Sequence, residues 1–253
     1  MMSAYDLNGR VAIVTGAAKG MGEAHVRLMA ERGAAVIISD LDPKGEAVAE
    51  ELRQSGASAR FVKHDVTDEE QWAKLAADAI AEHGKIDILV NNAGLADLQP
   101  VNEATAADFR RIFDVNVMGV FLGCKHVLEG MKAAGRGSII NIASAGGMQA
   151  LFPNLSLYTA SKGAVRMLTK AVAVDYAQYA IRVNAVNPGL IHTSMNEEYL
   201  KDPAMWPTML GNTLFDRPGK ATEVAEAVAF LASDASSYMT GADLTVDGGW
   251  TAN

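Results

Sequence analysis

The chain has 253 residues, 49% hydrophobic and 21% charged, enough to bury a sizeable core in one large α/β domain or two small ones. Its 30 acidic residues outweigh 22 Lys and Arg for a formal charge of -8, and no basic run stands out, which argues against nucleic acid as a partner. The opening residues have no signal-like apolar stretch, and no run is long enough to span a bilayer. The single cysteine, Cys124, reads as a buried apolar thiol, and no Cys/His set has metal-ligand spacing. These features point to a reducing cytoplasm, no membrane and no metal.

Short apolar strands then alternate with amphipathic helices. Strands are expected at 10–15, 35–40, 59–65, 85–94, 137–144, 181–189 and 242–249. Helices are expected at 23–33, at 43–56, from Asp68 as N-cap, over about 106–132, from the Tyr158 region to about Tyr179, and at 221–233. Repeated β-α-β units with near-continuous apolar strands mean a parallel sheet covered on both faces. The fold class is α/β, a doubly wound, Rossmann-type parallel sheet of about seven strands. No linker divides the chain, so residues 1–253 read as one dinucleotide-binding and catalytic domain. Residues 190–219 break the rhythm and contain Pro203, Pro207 and Pro218, which forbid one continuous helix. They read as a small helical lid.

The first β-α turn, "VTGAAKGMGEAH", spaces Gly16, Gly20 and Gly22 as G-x-x-x-G-x-G. Glycines let such a turn close and let backbone approach a pyrophosphate, while the helix N-terminus offers free N–H groups. Asp40 ends the second strand, 18 residues beyond Gly22. A carboxylate there can accept both hydroxyls of an adenosine ribose and would repel a 2′-phosphate, so NAD is favoured over NADP. The competing reading of Asp40 is a cap on the next turn. Lys19 is a contrary sign, since a cation in the loop could meet a 2′-phosphate.

"LYTASKGAVRML" places Tyr158 and Lys162 four residues apart, on one helix face a turn from each other. Alone, this is also what a surface tyrosine beside a surface lysine would look like. Several such stretches occur in order, however. "TGAAKGMG", "NNAG" at 91–94, Asn116 in "DVNVMGVF", Ser144 in "INIAS", "YTASK" at 158–162 and "NPG" at 187–189 together resemble the short-chain dehydrogenases/reductases over essentially the whole chain. "GMGEAHVRLM", "GRGSIINIAS" and "VDGGWTAN" are most similar to their alicyclic-alcohol and hydroxysteroid branch.

The resemblance implies an NAD-dependent secondary alcohol dehydrogenase or ketoreductase with catalytic Asn116, Ser144, Tyr158 and Lys162. Tyr158 would be the acid/base. A free tyrosine has a pKa near 10, and lowering it by about three units takes roughly 4 kcal/mol of differential stabilisation of phenolate. Lys162 and the positive ring of the oxidised cofactor could supply much of that. Ser144 would orient the substrate oxygen, Lys162 would also hold the nicotinamide ribose, and Asn116 would anchor a relay water. Asn is a poor helix-interior residue, so Asn116 marks a local irregularity, and its plainer reading is a buried amide satisfying backbone groups. Cofactor contacts are implied for Gly16, Lys19, Gly20, Met21, Gly22, Asp40, Leu41, Asp65, Val66, Asn91, Ala93, Gly94, Tyr158, Lys162, Pro188, Gly189, Ile191 and Thr193. Asp65 could instead serve the turn before a helix. Ser144 lies 14 residues before Tyr158, one more than the family's usual spacing, so the loop between them is longer.

On the substrate side, Ser144, Gln149, Phe152, Tyr158, Met195 and Trp206 are candidates. The apolar character of 148–155 and 190–215 suits an apolar, cyclic alcohol or ketone, or equally packing of the lid onto the body. An acyl-carrier ketoreductase and a non-catalytic NAD-sensing regulator are the other readings. Asp40 and the missing basic patch oppose the first, and the complete catalytic set opposes the second. A homotetramer is expected; the resemblance implies 106–132 and 157–179 at one interface, and Ala164, Val165, Leu168, Ala171 and Val172 exceed what one amphipathic face needs.

Overall fold

The computed structural model describes residues 5–150, 152–193, 210–211 and 213–252. Seven parallel strands form the main sheet in the order β3-β2-β1-β4-β5-β6-β9. They are β1 (Val11–Thr15), β2 (Ala35–Asp40), β3 (Ala59–Lys63), β4 (Ile88–Asn91), β5 (Gly137–Ile142), β6 (Ile181–Pro188) and β9 (Asp243–Val246). The helices are α1 (Gly20–Glu31), α2 (Gly45–Gln54), α3 (Glu69–His83), α4 (Ala106–Phe113), α5 (Gly119–Ala134), α6 (Ser156–Tyr176) and α7 (Ala221–Ala232). Each strand is entered from the same end through a crossover helix, as parallel pairing requires.

The inner strands β1, β2 and β4 are almost continuously apolar because both faces are covered. Alternate residues of β1 show it: Ala12 and Val14 join Val26, Met29, Val48 and Val228 beneath α1, α2 and α7. Val11 and Ile13 join Trp72, Leu75, Val127 and Val165 beneath α3, α5 and α6. Burying each large aliphatic side chain is worth about 1.5–3 kcal/mol. Ile37, fully buried in the centre of β2, would cost about 2–5 kcal/mol to truncate to Ala.

The chain runs outward one way from β1 to β3, then the other way from β4 to β9. The connections therefore part at the carboxyl ends of β1 and β4, where doubly wound sheets open a ligand crevice.

Several boundaries differ from the expectation. The helix expected over 106–132 is interrupted: after α4 comes a π-helical turn, Asp114–Met118, with Asn116 inside it, and then α5. This is the irregularity the asparagine signalled. β4 is shorter than expected, and just before it Asp87 accepts from Val11 N–H through its carboxylate (2.9 Å) and pairs with Lys85 and Arg136. Asp68 caps α3 by accepting from Gln71 N–H, as expected.

One correction concerns the surface. Val165 is fully buried in the core, and Leu168 and Val172 pack against it, so they do not form an outward face. Ala171 is exposed as expected, and the large exposed apolar residues of α6 are Met167 and Val174, at 64% and 80%. The helices expected in the insertion, with Met195 and Trp206, lie outside the described residues. Its two ends are joined by a parallel bridge of β7 (Ile191–His192) with β8 (Gly219–Lys220). Among the described residues no helix is long and apolar enough to cross a membrane, and no group of His, Cys, Asp and Glu could hold a metal ion.

Candidate active site

The sequence-selected residues converge on the carboxyl edge of the sheet. Gly16, at φ +62°, starts the loop from β1 to α1, and a Cβ on it would lie 2.8 Å from Ala93 Cα. A Cβ on Gly22 would collide with the Gly16 carbonyl. The loop is thus closed onto itself and onto the end of β4, with the α1 N-terminus behind it. Lys19 and Met21 lie in the same turn and Gly20 faces Thr193, whose Cβ would be 3.6 Å from a Cβ there. That contact brings the segment after β6, with Pro188, Gly189 and Ile191, over the glycine loop.

Asp40 fills the turn role that competed with a ribose contact, and it also braces the glycine loop. One oxygen accepts from Asp42 N–H (2.9 Å) and caps the turn; the other accepts from Ala18 N–H (2.9 Å) and braces the glycine loop. A carboxylate has about four acceptor sites, so capacity remains for ribose hydroxyls. Lys19 leans toward Asp42, at 3.8 Å, and Leu41 is exposed at the crevice mouth. Asp65 accepts from Thr67 N–H and Oγ–H (2.9 and 2.8 Å), the turn role that rivalled an adenine contact. Trp72 Nε1 donates to the Val66 carbonyl (2.9 Å) and fixes that backbone.

Asn91 turns its side chain away from the crevice. Its side chain points beneath the sheet, donating to Asn141 Oδ1 (2.8 Å) near Cys124, so only its backbone remains for a cofactor. Its neighbour Asn92, unflagged by the sequence reading, does the loop work: Nδ2 donates to the carbonyls of Thr15 (2.9 Å) and Gly16 (3.0 Å). Asn92 Oδ1 is buried with no partner among the described residues, an acceptor suited to a polar ligand in the crevice. Closed glycines, the Asp40 carboxylate and this orphaned oxygen fit a dinucleotide.

Ser144 follows β5, Tyr158 lies in the first turn of α6, and Lys162 is one turn on. Burial pushes the Tyr158 phenol up, and a hydrogen bond with Ser144 pulls it back. Lys162 Nζ donates to the Ile142 carbonyl (2.8 Å) and lies 5.8 Å from the Tyr158 ring centroid. Burial pushes the Lys162 ammonium down to about 8. The protein alone therefore does not give Tyr158 the lowered pKa expected from Lys162, because desolvation opposes both charged forms. Asn116 acts as a brace. Its Oδ1 accepts from Leu95 N–H (2.8 Å), and its Nδ2 donates to the Leu95 carbonyl and to Ser161 Oγ (both 2.9 Å). It ties the strap carrying Ala93 and Gly94 to α6, which matches its plainer reading.

On the substrate side, Phe152 packs edge-on against Trp250 (4.9 Å between centroids), and Gln149 Nε2 reaches the Thr251 carbonyl at 3.4 Å. The C-terminal turn thus backs the loop between Ser144 and Tyr158. It is built by Asp247, which accepts from Gly249 N–H, Thr251 N–H and Thr251 Oγ–H. The sequence reading missed Trp250 as a neighbour of that loop, because only folding brings residues a hundred positions apart together.

The comparisons agree with this geometry. Residues 16–251 match the family model described as enoyl-(acyl carrier protein) reductase. Cyclopentanol dehydrogenase of Comamonas testosteroni is 44% identical over 98% of this chain and 99% of its own. The 3-alpha-(or 20-beta)-hydroxysteroid dehydrogenase of Mycobacterium tuberculosis (strain ATCC 25618 / H37Rv) is 44% identical over 97% of this chain and 91% of its own. A solved gluconate 5-dehydrogenase from Burkholderia cenocepacia J2315, in complex with NADP and tartrate, superposes with a TM-score of 0.94 at 37% identity, covering 99% of this chain and 98% of that one. Fold and crevice define an oxidoreductase of the nicotinamide-dependent class. The chain belongs to the short-chain dehydrogenase/reductase family.

Proposed function

We propose that this chain interconverts a cyclic, apolar secondary alcohol and its ketone using NAD, with Tyr158 as acid/base. The observation that carries the reading is the meeting of Ser144, Tyr158 and Lys162 at the crevice edge, with Lys162 Nζ 5.8 Å from the Tyr158 ring centroid and Ser144 drawing the phenol's pKa down. In oxidation Tyr158, as phenolate, takes the hydroxyl proton; in reduction its phenol returns it. Bound oxidised nicotinamide supplies the hydride acceptor and a positive ring near the phenol. Ser144 orients the substrate oxygen, Lys162 holds the nicotinamide ribose and adds positive charge, and Asn116 keeps the strap against α6. The glycine loop receives the pyrophosphate.

NAD is preferred because the Asp40 carboxylate stands where a 2′-phosphate would sit. A gluconate 5-dehydrogenase of the same fold is in complex with NADP, so the preference rests on the carboxylate at the end of β2 and not on the fold. The cyclopentanol and hydroxysteroid activities named for the two relatives support a ring-bearing substrate. The exposed Phe109, Met118 and Phe121 of the α4–α5 region, with Met167 and Val174 of α6, support a homotetramer. The working compartment is the cytoplasm.

The test is Tyr158→Phe, assayed with cyclic alcohols and steroids as NADH absorbance. Turnover should fall by at least about a thousandfold with NADH binding retained. Near wild-type kcat in this variant would remove Tyr158 from the chemistry.

A further inference from the structure

Ser144 and Tyr158 belong to different elements, so their hydrogen bond depends on what holds the turn after β5 against α6. The near side of that turn is fixed by Ser144 itself. Gly146 N–H donates to Ser144 Oγ (3.0 Å), and Gly147 N–H donates to the Ser144 carbonyl (2.9 Å). The far side is held by a residue that no motif flags. Arg166 Nη1 donates to the Gly147 carbonyl (2.8 Å) from α6, one turn beyond Lys162 and two beyond Tyr158.

The same guanidinium forms a two-toothed pair with Asp243 of β9, Nε to Oδ1 at 2.9 Å and Nη2 to Oδ2 at 3.0 Å. Asp243 is itself fixed by Lys170 Nζ (2.8 Å) and Asn187 Nδ2 (3.2 Å). The turn lies hard on the helix: a Cβ on Gly147 would come within 2.7 Å of the Lys162 carbonyl carbon. Three elements, the β5 turn, α6 and β9, therefore meet at one planar cation.

We propose that Arg166 is a positioning residue: by bridging Gly147 to Asp243 it sets the separation of the Ser144 hydroxyl from the Tyr158 phenol. This rests on the reading of Tyr158 as acid/base given above. An ordinary surface ion pair would contribute little and position nothing. Arg166 differs because three of its donors are fixed at once in the plane of the guanidinium, a geometry that lysine cannot copy. The effect falls on chemistry because displacing a reacting group by about 1 Å costs on the order of a hundredfold in rate.

The experiment compares wild type, Arg166→Met, Arg166→Lys and Tyr158→Phe in alcohol oxidation across pH. In Arg166→Met, Asp243 keeps Lys170 and Asn187, so no carboxylate is left unpaired. That variant should lose about tenfold to a hundredfold in kcat, with KM for NAD changed less than about threefold. Its acid limb should move to higher pH, because Ser144 no longer favours the phenolate while Lys162 is unchanged. Arg166→Lys should recover thermal stability but not the acid limb, since an ammonium can reach Asp243 or Gly147 but not span both as the fork does.

Wild-type kcat and acid limb in Arg166→Met, with Tyr158→Phe inactive, would overturn the positioning role and leave the acid/base reading standing. A lowered melting temperature with an unmoved limb would make Arg166 a structural ion pair only. Activity in Tyr158→Phe would overturn the acid/base reading instead. If Arg166→Met does not fold, Arg166→Lys and Asp243→Asn carry the same comparison, and unmoved acid limbs in both would overturn the proposal.

Discussion

His25 should make this protein acid-sensitive, and replacing it with leucine should relieve that. The side chain shares the inward face of α1 with Gly22, Val26 and Met29 and has no exposed surface. Neither ring nitrogen has a hydrogen-bond partner among the described residues. Burial pushes its pKa down to about 3 from an ordinary 6.5. Below pH 6.5 the unfolded chain takes up a proton at this site that the folded chain refuses, so stability falls as pH falls, and the loss due to His25 is complete only below about 3. At pH 5 the penalty is about 2 kcal/mol, rising to about 5 kcal/mol below pH 3, while at pH 7 it is only a few tenths.

His25→Leu removes the titration and the unsatisfied nitrogens at roughly constant volume. Urea unfolding at pH 7 and pH 5, at one protomer concentration, gives the difference in lost stability between wild type and variant. The variant should lose about 2 kcal/mol less. Equal losses would mean that His25 is protonated or hydrogen-bonded in the folded state, and the reasoning would fail. His64, pushed down to about 4 by burial beside Ser39 and Trp72, titrates in both proteins and cancels from the comparison.

Asp40→Ala should weaken NAD about tenfold or more while NADP holds or improves, because a loosened glycine loop would harm both cofactors alike but loss of charge favours only NADP. Comparing kcat/KM for the two cofactors decides it, and an unchanged ratio would assign Asp40 to the turn alone. Lys162→Met should depress both kcat and cofactor affinity. Because the buried ammonium is pushed down to about 8, wild-type NAD affinity should decline as pH rises through that value and the variant's should not, as read by cofactor titration from pH 7 to 9. Met167→Lys with Val174→Lys should reduce the mass measured by light scattering below that of a tetramer; an unchanged mass would place the interface elsewhere.

The alternation of apolar runs with amphipathic helices determined the doubly wound sheet, because strands buried on both faces have no solvent side to punctuate them. The glycine spacing determined the closed first turn, and a single asparagine at 116 betrayed the π-helical turn that splits the long helix. Tyr158 and Lys162 were legible because helix periodicity fixes their relation locally. What tertiary structure alone decided is which side of the sheet each polar group faces and which distant groups meet it. Asn91 and Asn92 are neighbours in one motif, yet strand alternation sends one beneath the sheet and the other to the glycine loop. Arg166 looks like one more helix cation until β9 returns Asp243 to it from 77 residues away, and Tyr158's raised pKa follows from burial that no spacing encodes. Local periodicity is written in neighbouring residues, whereas desolvation and long-range pairing exist only once the chain has folded over itself.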